Sequence, residues 1–328
     1  MNFGGERSYK IPKSGWQENK KEELLLMNHT GEFAALLTAV FWTITALTFE
    51  AASRKIGSMV VNLLRLVVGF CFLTLFVYFY RGYLLPLDAT PRAWFYLTLS
   101  GLIGFVFGDL CLFQAFVVIG ARISMLLMAL APPMTALIGW MILGETLSWK
   151  SWIGMVLTIS GIALVVLKRH TKAESNGGFR KVKFNYPVWG ILLGLGGAVG
   201  QAAGLVLSKF GMKGYDTFAS TQIRVIAGIV GFSVLFSLMG FWKHAWRALD
   251  KRKPMLQLSV GAFFGPFLGV SFSLIAIKYA DTGIASTIMA IVPVLIIPPS
   301  MILYKEKVTF KEIAGAVVAV SGVAMFFV

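Results

Sequence analysis

The chain has 328 residues, 57% of them apolar and 14% charged, where an ordinary soluble domain has roughly 45–50% and 25%. That balance excludes a water-soluble globule and makes a bilayer the expected solvent. The formal net charge of +15 lies in segments flanking apolar runs, which suits anionic lipid headgroups; no DNA- or RNA-recognition motif is present, so nucleic acid is not an expected partner.

In chain order, residues 1–31 form a polar tail lacking the apolar run a secretory signal needs. Met27 precedes a sequence that could itself open a compact membrane protein, so the first 26 residues are expected to be dispensable. A helix needs about 20 mainly apolar residues to cross some 30 Å of hydrocarbon, because its backbone polar groups must be satisfied within the segment. Ten stretches meet this requirement, near 32–50, 58–80, 94–117, 122–143, 151–167, 188–208, 217–241, 256–277, 283–303 and 309–328. Pro91, Pro187 and Pro254 stand just before or within a first turn, where a missing N–H costs nothing. The expected fold is an all-α membrane protein of ten transmembrane helices, with no room for a soluble domain.

A shift of 161 residues places Gly104, Gly108, Ala115, Pro132, Glu145, Gly154 and Gly161 on Gly265, Gly269, Ala276, Pro293, Glu306, Gly315 and Gly322. A shift of 159 matches Gly31, Leu36, Ala39 and Arg65 to Gly190, Leu195, Ala198 and Arg224. The chain therefore reads as one five-helix unit at 32–167, a basic connector at 168–187 and a second unit at 188–328. Five is odd, so the second copy enters the membrane from the opposite side, the inverted arrangement found in many secondary transporters.

The segments LGETLSWKSWIGMVLTISGIALVVL (143–167) and YKEKVTFKEIAGAVVAVSGVAMFFV (304–328) resemble the ends of EamA-type units, with a helix-end Glu, a short loop and a Gly-containing last span. Two such units resemble the drug/metabolite transporter superfamily. The resemblance implies a ten-helix carrier in the plasma membrane that moves small metabolites such as amino acids, often outward, with both termini cytoplasmic. Loop charge points the other way: that orientation puts 17 Lys/Arg outside and 11 inside, against the positive-inside rule. Labelling of cysteines introduced at Ser175 or Ala245 would decide between them.

Ionisable groups deep in a span are costly and mark function. Asp109 in FGDLCLFQAF is the foremost candidate, and its repeat equivalent is Val270, so it serves one half only. Arg65 lies about as far from the same membrane face on an antiparallel neighbour, which makes it a partner for Asp109; a structural ion pair is the alternative. Arg224 is its counterpart in the second unit, placed by inversion towards the opposite face. Paired arginines at symmetric depths could bind carboxylate or phosphate, or cap helix ends. Trp42, Asn62, Gln114 and Gln201 are further candidates for a cavity lining. Glu50 is expected at a solvated or gate position, and Glu145 and Glu306 as helix-end caps.

Pro132 and Pro293, near the middles of their spans, each strip the intrahelical donor from the carbonyl four residues earlier, at Met128 and Met289, and are candidate hinges. Gly104 with Gly108, Gly265 with Gly269, and Gly196, Gly200 with Gly204 form ladders for close helix contact. His29, His170 and His244 stand singly in polar segments, and Cys71 and Cys111 lie in apolar runs. Neither a metal site nor a Ser/His/Asp centre is expected, and no cofactor. The leading reading is a non-enzymatic secondary carrier, an exporter with a small-molecule solute, a proton as coupling partner, lipid around it, and a monomeric or homodimeric state. An exchanger of anionic metabolites is the alternative, then a passive channel or lipid scramblase.

Overall fold

The computed structural model describes residues 29–143, 148–167, 185–280, 285, 288–305 and 308–325. Residues 1–28 of the polar tail, most of the basic connector, and Glu145, Ser175 and Glu306 lie outside them. Every element described is a helix. They are α1 Thr30–Ile56, α2 Ser58–Arg81, α3 Pro91–Gly101, a π-helix Leu102–Gly108, α4 Asp109–Met128, α5 Ala131–Leu143 and α6 Trp149–Val166. After the connector come α7 Val188–Gly211, α8 Thr217–Met239, α9 Trp242–Leu249, α10 Arg252–Ala262, a second π-helix Phe263–Gly269, α11 Val270–Tyr279, α12 Val292–Leu295, α13 Ile297–Tyr304 and α14 Phe310–Ala324.

Among the described residues, six stretches are long and apolar enough to cross a membrane: Thr30–Ile56, Ser58–Arg81, Pro91–Met128, Val188–Gly211, Thr217–Met239 and Arg252–Tyr279. Trp152–Val166 and Val292–Tyr304 are shorter apolar helices. The expected third and fourth spans thus run together as one 38-residue stretch. Gly120 divides it, with φ 81° and ψ 158°, a region open to glycine alone. One such residue reverses the chain, where the sequence suggests a loop at 118–121. Gly57, at φ 89°, makes the same one-residue connection between α1 and α2.

The duplication is visible in local irregularities. The π-helices at Leu102–Gly108 and Phe263–Gly269 occupy equivalent positions under the 161-residue shift. So do the interruptions at 129–130 and 290–291. Pro132 and Pro293 are therefore not mid-helix: each sits in the first turn of the segment that resumes after a break, where proline lacks no needed donor.

Glycine ladders set how the halves meet. A methyl on Gly108 would stand 3.1 Å from the Gly200 Cα, and one on Gly204 the same distance from the Gly104 Cα. The second π-helix lies against α1, with Gly265 facing Thr45 and Gly269 facing Trp42. At the crossing of α6 and α14, a methyl on Gly161 would be 2.6 Å from the Gly315 carbonyl oxygen. With no hydrophobic drive between helices in lipid, such backbone approach supplies the dispersion contacts that hold them. Between the halves, Phe49, Phe113 and Phe116 anchor an apolar core.

Candidate functional site

The first π-helix ends at Asp109, whose N–H bonds back to the Gly104 carbonyl. This i→i−5 register adds a residue to the turn and re-aims the side chains of α4, as π-turns often do beside functional groups. Asp109 Oδ2 meets Arg65 Nη2 at 2.5 Å. Arg65 Nε donates to Asn62 Oδ1 at 3.1 Å, and Asn62 Nδ2 donates to the Asp109 backbone carbonyl at 3.1 Å. Three residues thus close a ring of hydrogen bonds between α2 and α4. The Arg65 guanidinium also lies 4.6 Å from the Phe113 ring centre and 5.6 Å from those of Phe49 and Phe105, a cation–π setting.

Arg224 approaches the same place from α8. Its guanidinium lies 4.8 Å from the Phe105 ring centre, so the two repeat-equivalent arginines share one aromatic side chain. The two arginines therefore lie at one place rather than towards opposite faces; each stands eight residues into its helix, α2 and α8. Gly104 makes room: a Cβ there would stand 3.4 Å from Arg224 Nη2.

Arg65, Asp109 and Arg224 line a cavity of about 690 Å³, together with Trp42, Thr45, Phe105, Gln201 and Ser273. Trp42, Met125, Met128, Gln201 and Leu205 are shared with an adjoining chamber of about 500 Å³, whose walls include Ala129, Pro132, Thr135, Met289 and Pro293. Both helix interruptions therefore face this space. Asn62 and Gln114 do not line it: Asn62 is fully buried in the ring above, and Gln114 accepts from Ser58 Oγ at 2.6 Å.

Glu50 departs from the solvated position expected of it. It is 3% exposed, pairs with Arg54 at 2.8 Å, and accepts from the Ala121 N–H at 3.1 Å. That N–H is the first after the Gly120 reversal, so the carboxylate caps an orphan donor at a helix start. At the same end of the bundle, Glu312 ties the two halves together. It meets Arg122 at 3.3 Å, accepts from the Tyr186 hydroxyl at 2.8 Å and forms a capping box with Thr309. Tyr304 donates to the Leu47 carbonyl nearby. The Thr309–Glu312 spacing is a helix-start signal legible in the sequence; its partner Arg122 is not. At the other end, Asp88 bonds Arg81 at 2.6 Å and Tyr215 at 2.9 Å. Slight burial alone would raise the Asp88 carboxyl, but hydrogen bonds from Tyr215 and Arg81 hold it below its ordinary range. Among the described residues no cluster of three His, Cys, Asp or Glu side chains could hold a metal.

Residues 29–167 and 188–328 each match the EamA-like transporter family. The chain is 25% identical over 197 residues to the "Uncharacterized transporter YvbV" of Bacillus subtilis (strain 168), a match covering 59% of each protein. It is 30% identical over 141 residues to an "Uncharacterized transporter in cobO 3'region" of a Sinorhizobium species, covering 43% of this chain and 99% of that one. The human "Solute carrier family 35 member G1" is 26% identical over 133 residues, 40% of this chain and 35% of its own length. The match thus spans under two thirds of the Bacillus and human relatives. A solved crystal structure superimposes with a TM-score of 0.56 at 17% identity, over 90% of this chain and 95% of that one, a likeness of fold. With both halves matched, the chain belongs to the EamA-like transporter family, within the drug/metabolite transporter superfamily, and is an integral membrane protein built from two EamA repeats.

Proposed function

We propose that the protein is a secondary carrier of small metabolites that works by alternating access in the plasma membrane. Its halves, 32–167 and 188–328, form two inverted five-helix units making ten crossings. Arg65, Asp109 and Arg224 form the polar floor of the solute site; Trp42 and Gln201 border it on the chamber side. One observation carries this reading: equivalent arginines from the two copies converge on one ring inside a cavity between the halves. A closed structural pair would need no cavity and no second arginine. The networks at either end of the bundle, around Glu312 and around Asp88, act as the alternating closures. Export is the direction we propose.

Flux into proteoliposomes tests the reading. Saturable, counterflow-stimulated uptake of an amino-acid or organic-acid mixture supports a carrier, and dependence on an imposed pH gradient separates proton coupling from exchange. Unsaturable leak or ion conductance would leave only a pore.

Pro132→Ala supplies an N–H able to bond the Met128 carbonyl across the interruption at 129–130, which would join the segments on either side of it and stiffen the chamber wall. Maximal flux should fall about tenfold with solute affinity changed less, as for a slowed conformational step; unchanged kinetics would remove the hinge role from Pro132 and, by symmetry, from Pro293. Orientation is tested on α9. Ala245 is buried, so a cysteine at exposed Lys243 replaces it. With cytoplasmic termini, a membrane-impermeant thiol reagent added outside intact cells should label Lys243→Cys; labelling only after lysis would reverse the orientation and side with the loop charges.

A further inference from the structure

Among the described residues, two buried polar atoms of the cavity lining have no hydrogen-bond partner, Arg224 Nε and Thr45 Oγ1. Arg224 is 4% exposed. Among the described residues its guanidinium makes no hydrogen bond; it lies over the Phe105 face and within electrostatic reach of Asp109, which Arg65 already pairs. Its repeat equivalent Arg65 is satisfied by Asp109 and Asn62. A buried guanidinium left without an acceptor is costly, and evolution of a pure packing role would favour an apolar side chain there. The polar floor holds two guanidinium groups and one carboxylate, which leaves one positive charge uncompensated. Next to it, the adjoining chamber is walled largely by thioether and apolar side chains, Met125, Met128 and Met289 among them.

We propose that the solute is an amphipathic monocarboxylate: its carboxylate is held by Arg224 and hydrogen-bonded by the Thr45 hydroxyl, and its apolar body lies in the methionine-lined chamber. This rests on the carrier reading and names its substrate class. A single negative charge balances the floor. A dianion leaves a charge unpaired in a desolvated space, and a cation meets a site already positive. The planar guanidinium suits a carboxylate, which it can engage with two parallel N–H donors. Methionine walls adapt to varied apolar shapes, so the class is defined by charge and amphipathicity more than by one skeleton.

The test compares four probes of similar skeleton on the purified protein in lipid nanodiscs: 3-phenylpropionate, 3-phenylpropanamide, 3-phenylpropylamine and phenylsuccinate. Thermal stabilisation and calorimetric titration should rank the monocarboxylate first by about tenfold or more. Arg224→Gln should erase that advantage while leaving the amide unaffected, and Arg224→Lys should keep part of it. Equal binding of carboxylate and amide, preference for the amine or the dianion, binding that survives Arg224→Gln, or no binding of any probe at millimolar concentration would each overturn the proposal. Should Arg224→Gln not fold, the ranking on the native protein and on Arg224→Lys decides. The carrier reading is checked separately, without any solute. A cysteine at Ser273, in a background with Cys71 and Cys111 replaced by alanine, is exposed to an impermeant thiol reagent on each side of sealed vesicles. Labelling from both sides keeps the carrier whatever the probes do; labelling from one side only ends it.

Discussion

Asp109→Asn should give a folded protein with transport reduced about 100-fold or more. The substitution keeps the shape and a hydrogen-bonding oxygen for Arg65 but deletes the cavity's only carboxylate among the residues lining it. Two guanidinium groups then face the Phe105 ring with nothing to balance them. Breaking a buried pair by removing one partner typically costs 3–5 kcal/mol; the retained amide oxygen keeps Asn at or below the lower end, and Asp109→Ala should reach the upper. Thermal unfolding in detergent and flux in liposomes read the two effects separately. The double variant Arg65→Gln/Asp109→Asn adds a second comparison: it should regain part of the stability, because the charge of Arg65 goes with that of its partner and only Arg224 stays charged in the cavity, yet stay inactive. Full activity in the double variant would reduce the pair to a structural one.

Gly200→Ala should be strongly destabilising. Its Cβ would stand 2.9 Å from the Gly108 backbone nitrogen and 3.1 Å from the Ile103 carbonyl oxygen, with the Gly108 Cα nearer still. All three are backbone atoms at a crossing of the two halves, so no rotamer can relieve the clash and the helices must part. Overpacking of this kind costs about 1–3 kcal/mol and occasionally more, and parting the helices also disturbs Gln201 and the cavity wall. Gly196→Ala, one turn earlier on the same helix face, provides the control. Its methyl would meet the Cys111 side chain at 3.1 Å, which has a rotatable bond with which to yield. Size-exclusion profiles and melting temperatures should show a loss for Gly200→Ala well beyond that for Gly196→Ala; equal effects would contradict the backbone-contact account.

How much of this is legible in the residues depends on what kind of force places each one. The duplication, the glycine ladders and the pairing of Arg65 with Asp109 follow from spacing and from a rise of 1.5 Å per residue, both of which the sequence carries directly. The convergence of Arg224 on the same site does not, because helix tilt and depth come from packing between the halves. Glu50 is misread for a related reason. Near a helix end it reads as solvated, and only the one-residue reversal at Gly120 brings the Ala121 N–H against it. Phe105 is one of 27 phenylalanines, and in a membrane protein the apolar pattern does not separate lipid-facing rings from those enclosed in the bundle. The prolines mark irregular segments correctly by chemistry, yet their position in the first turn after each break depends on where the chain gives up its hydrogen bonds, here at 129–130 and 290–291.

Those two breaks, one from each copy, border a single chamber. A molecule lodged there touches both halves at once, so its binding energy varies with their relative pose. In the carrier proposed above, cargo of the right shape would thereby lower the passage between poses and an empty protein would find it harder; the load itself would become the licence to move, since a ligand shifts a conformational balance only by its unequal affinity for the states it joins.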